Sequence, residues 1–154
     1  MSDYVDTVDI EGVQYDIQDT PTKEQAEENA QDISEMKASQ NYSTTEHLTG
    51  RKWLDGKPTY TITVNTGTLP NTTTKTVPLP VQNIDTIIKY RGCAKNPTIN
   101  EIRALPYPAY IAGNIIAVFI RENDISIVTG ADYSGFTESY IEFEYTKTTD
   151  SPQP

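Results

Sequence analysis

The chain has 154 residues, 36% of them hydrophobic, and a formal net charge of −10. That charge is uneven: residues 1–40 hold 11 Asp and Glu against Lys23 and Lys37, whereas residues 41–154 hold 11 acidic and 10 basic side chains. Neither part offers a basic patch for phosphates, which argues against nucleic acid and anionic membrane surfaces as partners. No apolar run approaches the length that spans a bilayer, and the low apolar share points to a core shared between chains.

Residues 1–19 open with two short alternating bursts, Val8 and Ile10 before Glu11-Gly12 and Val13, Tyr15 and Ile17 after it. A period of two around a turn reads as a small hairpin. A lone hairpin is marginal in water, so it must lie against trimer mates or another protein; the alternative is a flexible acidic tail. No charged-then-apolar leader precedes it, so the chain is expected to begin at Met1 or Ser2 and to be made in a cytosol.

Residues 20–40 read as an acidic helix. Thr20 can cap, Pro21 suits the first helical position, and Glu24, Glu27 and Glu28 complement the positive end of the helix dipole. Ala26, Asn29, Ala30, Ile33 and Met36 then fall on one stripe at spacings of three and four, the seam of a short coiled coil. Asn29 within such a seam would set register, and alanine there permits two helices or three. An amphipathic helix docked on its own β-domain is the competing reading.

Residues 41–154 read as a β-domain behind a polar hinge, SQNYSTTEHLTG. The only tryptophan, Trp53, precedes Asp55-Gly56, which can fill the two left-handed positions of a type I′ turn. Strands are predicted at Thr59–Asn65, Thr74–Leu79, Thr86–Cys93, Tyr110–Ala112, Asn114–Arg121, Asp124–Thr129 and Ser139–Thr146, with Asn123-Asp124 as a hairpin turn. Residues 96–110, with three prolines and no steady period, read as a long surface loop, and the last nine residues as a tail. The expected class is mostly β, with a trimeric coiled coil followed by a β-sandwich or jelly-roll-like domain.

Catalytic constellations are sparse. His47 is the only histidine and Cys93 the only cysteine, and neither lies in a nucleophile or metal motif; Cys93 reads as a small buried apolar residue. Glu142 and Glu144 in YIEFEY share one strand face and are the only candidates for a carboxylate glycosidase, with a half-buried strand as the plainer reading. Asp132 and Glu138 are the acids that could bind calcium, but no loop has the regular oxygen-ligand spacing of a calcium motif. No cofactor, metal or catalytic residue is expected. Ten tyrosines against three phenylalanines instead suit recognition surfaces. Tyr107, Tyr110, Tyr133 and Phe136 are the receptor-binding candidates, unless they plug the ends of the sandwich.

The segment VDIEGVQYDIQD followed by TPTKEQAEENAQDI resembles the N-terminal virion-attachment segments of tailed-bacteriophage fibre proteins. The stretches YSTTEHLTGRKWLDGKPTYTITVNTGTLPN and VQNIDTIIKYRGCA are similar to a β-domain module of head and tail fibres from phages of gut bacteria. The resemblance implies a homotrimer on the virion surface, made in the bacterial cytoplasm, with the N-terminus fixed to a capsid protein or other virion component and the β-domain facing outward. It implies attachment through Val8, Ile10, Val13, Tyr15 and Ile17 by strand addition, and a place for Trp53 at the junction where three helices meet three β-domains. The short length favours a head fibre, with weak adhesion to glycans as an accessory role, over a tail-fibre receptor-binding protein.

Overall fold

The computed structural model describes residues 7–16, 23–38, 41–109 and 111–152. The chain divides into two compact units, residues 1–38 and residues 39–154. In the first unit, β1 (Thr7–Ile10) and β2 (Val13–Asp16) pair antiparallel with Ile10 opposite Val13 and Val8 opposite Tyr15. Glu11 (φ 56°) and Gly12 (φ 82°) both occupy the left-handed region, as a two-residue type I′ turn requires. The expected turn is therefore present. Ile17, the fifth attachment residue, and the Thr20-Pro21 helix start lie outside the described residues.

Helix α1 spans Lys23–Ala38. Every seam position is exposed on the single chain: Ala26, Asn29 and Ala30, and the larger Ile33 (47%) and Met36 (58%). A helix of this length is marginally stable by itself in water.

The second unit holds two antiparallel sheets. Strands β3 (His47–Lys52), β4 (Pro58–Asn65), β10 (Glu138–Lys147), β6 (Ile84–Asn96) and β7 (Glu101–Leu105) form one in that order, and β5 (Thr74–Pro78), β9 (Asp124–Thr129) and β8 (Ile116–Ile120) form the other. The arrangement is sandwich-like because alternation buries one face of each sheet. Ile62 and Val64 of β4 stand opposite Phe143 and Ile141 of β10, and these join Ile116, Val118, Ile125 and Ile127 of the smaller sheet in a single core. Ile125 and Ile127 are fully buried, each contributing roughly 1.5–3 kcal/mol of transfer free energy.

Four sequence expectations are corrected. Asp55 is not left-handed; only Gly56 is (φ 84°), and Gly56 N–H donates to Trp53 O at 2.9 Å while Trp53 N–H donates to Lys57 O at 2.8 Å. The turn residues are thus Leu54 and Asp55 with Gly56 as a bulge, the three-residue hairpin loop rather than the two-residue one. Residues 41–50 are no hinge on the β-domain. Ser43 O accepts from Thr63 N–H of β4 at 2.8 Å, Glu46 bonds both Tyr145 and Lys147, and β3 starts at His47. Residues 96–110 are not one loop either, because they contain β7. Finally, Ala112 lies in a 3-10 turn, Ala112–Asn114, and not in a strand, while Tyr110 lies outside the described residues.

Candidate functional site

Three of the aromatic candidates are brought together, but around a cation. The Arg103 guanidinium lies 4.7 Å from the Tyr107 ring centroid, 5.0 Å from Tyr133 and 5.2 Å from Phe136. Its Nε donates to Glu101 at 2.6 Å and its Nη1 to Tyr133 Oη at 3.1 Å, while Tyr133 Oη donates to Asn114 O at 2.7 Å. Burial works against the Arg103 charge, yet the Glu101 carboxylate and the tyrosine outweigh it and leave its pKa above the ordinary value. Tyr133 (5% exposed) and Phe136 (4%) belong to the core. They close one region of the sandwich and offer no ring face to a ligand. Tyr107 is half-buried and tied to Ile116 by a reciprocal pair of backbone hydrogen bonds.

The outer face of the five-stranded sheet is built in rows. Thr61, Glu144 and Lys89 form one, Thr63, Glu142 and Arg91 the next, and Asn65, Tyr140, Cys93 and Ala104 a third. Glu144 is nearly buried although it faces outward, because Arg51 (2.6 Å) and Lys89 (2.8 Å) pair with it and Thr59 Oγ1 donates to it at 2.9 Å. Burial pushes its pKa up, but the hydrogen bonds from Lys89 and Thr59 and the charge of Arg51 prevail and hold it below the usual glutamate value. Glu142 pairs with Arg91 at 2.5 Å. Glu142 and Glu144 do share a strand face, as the alternation predicts. The cations and the Thr59 hydroxyl hold Glu144 in its ionised form, whereas a glycosidase's general acid needs a raised pKa.

The third row changes character. Tyr140 is 38% exposed and Cys93 is a free, exposed thiol, which corrects the expectation that Cys93 is buried. Above this row stands Tyr42. Its chain segment runs beside β4, and its hydroxyl reaches past β10 to accept from Arg91 Nη2 of β6 at 2.8 Å, with the guanidinium 5.5 Å from the ring centroid. Tyr42 is otherwise open, at 70% exposure. Between Tyr42 and the sheet lies a groove of about 500 Å³ whose lining includes Thr63, Arg91, Cys93, Tyr140 and Glu142, within the range of about 300–1,000 Å³ typical of small-ligand sites. The signal for it was present in YIEFEY: the same alternation that turns Ile141, Phe143 and Tyr145 inward places Tyr140 on the polar face.

Trp53 is half-buried, and its backbone closes the β3–β4 loop. Asp132 is occupied locally, accepting from Ser134 N–H at 2.9 Å and Ser134 Oγ at 2.7 Å, which lowers its pKa. Among the described residues no group of three His, Cys, Asp or Glu side chains is placed to hold a metal ion, and no helix is long and apolar enough to cross a membrane. Compared with protein families, characterised proteins and solved structures, the chain matches none.

Proposed function

We propose that the chain is a structural fibre subunit of a phage virion. It forms a homotrimeric head fibre through a coiled coil of α1, is anchored to the capsid by the N-terminal hairpin, and holds the β-domain outward. The observation that carries this reading is the exposure of Ile33 and Met36 on α1. An acidic helix too short to be stable alone gains its stability by covering such a stripe, and a seam with alanine and one asparagine is narrow enough for a neighbouring helix. The resemblance of the N-terminal and β-domain segments to fibre proteins supplies the trimer and the virion. Trp53 is assigned to the junction between subunits, and Val8, Ile10, Val13 and Tyr15 to the attachment hairpin.

A tail-fibre receptor-binding protein is the second reading, favoured by the open groove beneath Tyr42. Light scattering separates the assembly claim from the rest. The full chain is expected at three times its 17.2 kDa mass, and a chain beginning at Asn41 at the single-chain mass. A full-length monomer overturns the coiled coil; a trimer that survives truncation moves the contacts to the β-domain.

A further inference from the structure

We propose that the groove between Tyr42 and Tyr140 binds an uncharged pyranose unit of a polysaccharide. A pyranose has an apolar C–H face and a rim of hydroxyls, so its site needs an aromatic surface beside forked polar groups. Both are here. Tyr140 and Tyr42 present exposed rings to the groove, at 38% and 70%. On its rim Arg91 Nε donates to Glu142 at 2.5 Å, a pair that can donate to one sugar hydroxyl and accept from its neighbour. Thr63 lines the groove beside them.

Other ligand classes fit less well. The floor strands β4, β10 and β6 all lie inside the sheet, so an extended peptide finds no free edge for strand addition. Arg91 is already neutralised by Glu142, so an anionic ligand gains little charge. A wholly apolar ligand would strip water from the ion pair and the tyrosine hydroxyls and offer no hydrogen bond in return. Tyr42 meets Arg91 across the groove through its hydroxyl and ring, and its otherwise open ring is available to a sugar face beside that contact.

The inference gives the displayed domain of the fibre reading a ligand and rests on that reading only for where the ligand is met. Binding is measured on the full chain whatever its mass, so failure here leaves the trimer untouched, and a monomer leaves the groove untouched.

Cys93 supplies the readout, because its exposed thiol lines the groove. Iodoacetamide alkylation of Cys93 is followed by mass, with and without methyl glucoside, methyl galactoside or diacetylchitobiose. One stacked ring with Kd ~10 mM slows the reaction about sixfold at ~50 mM saccharide. Tyr140→Ala and Tyr42→Ala, both surface changes, are each expected to bring that ratio to about one. Three results overturn the proposal: equal rates with and without all three sugars, protection that persists in both variants, or protection by a uronate or sulfated sugar in preference to neutral ones.

Discussion

Gly92 shows how closely the centre of the large sheet is packed. A Cβ built there meets Tyr140 O at 2.3 Å and Ile141 Cδ1 at 2.6 Å, and a backbone oxygen between paired strands cannot step aside. Gly92→Ala is therefore expected to destabilise the β-domain by about 3 kcal/mol, read as a lowered urea midpoint with unchanged slope. Glu144 makes a pH-dependent contribution of known sign. Its folded pKa is depressed, so its stabilisation is present above its ordinary value of 4.5 and is lost as pH falls through the folded value. Glu144→Gln should cost about 1 kcal/mol near pH 7, with the difference from the native protein shrinking as pH falls below 4.5 and through the depressed folded value. A difference that stays constant across that range would assign Glu144 a packing role alone. Neither property is visible in the sequence, where Gly92 is one residue of YRGCA and Glu144 one of two acids on a strand.

Strands with regular inward alternation were legible, and strands that break it were not. Predicted Thr59–Asn65 and observed Pro58–Asn65 differ by one residue, and Asp124–Thr129 agrees at both ends, because each carries apolar residues at the positions its sheet buries. In β7 the polarity is reversed: Arg103 stands beside buried Ala94, while Ile102 faces outward with Lys95. The Glu101 carboxylate of the same strand and the rings of Tyr107, Tyr133 and Phe136, which come from outside it, make an inward arginine tolerable. Edge strand β3 was missed for another reason, since HLTGRK has only Leu48 as a large apolar residue. The Arg103 cluster gives the element-scale prediction. Arg103→Ala should lower stability by about 2 kcal/mol, and Arg103→Lys by about 1 kcal/mol, because an ammonium keeps the charge near the rings but not the fork that serves Glu101 and Tyr133 together. Thermal unfolding of the two variants in parallel checks it. Equal losses would mean that the guanidinium plane adds nothing beyond its charge.

At the scale of the whole chain, the two units divide the physical tasks. The acidic residues 1–40 carry nearly all the net charge and an exposed apolar stripe, whereas the β-domain is close to neutral and encloses its own core. The helix and its apolar stripe were legible because helical spacing is a local property. Whether neighbouring chains cover it is not, since one chain's periodicity does not count its partners. Ile33→Glu with Met36→Glu puts charge at the two largest seam positions without touching the β-domain core, so in a coiled coil it places like charges against one another on every neighbouring helix. The expected result is a fall in light-scattering mass from three chains to one, with the β-domain unfolding midpoint unchanged. Trp53, the single tryptophan, reports independently: if it closes the subunit junction, its emission shifts to longer wavelength as the trimer separates. A mass that falls with no change in emission would keep the helical trimer and remove Trp53 from the interface. An unchanged mass would show that α1 does not hold the chains together, and the exposed stripe would then need a partner outside the oligomer.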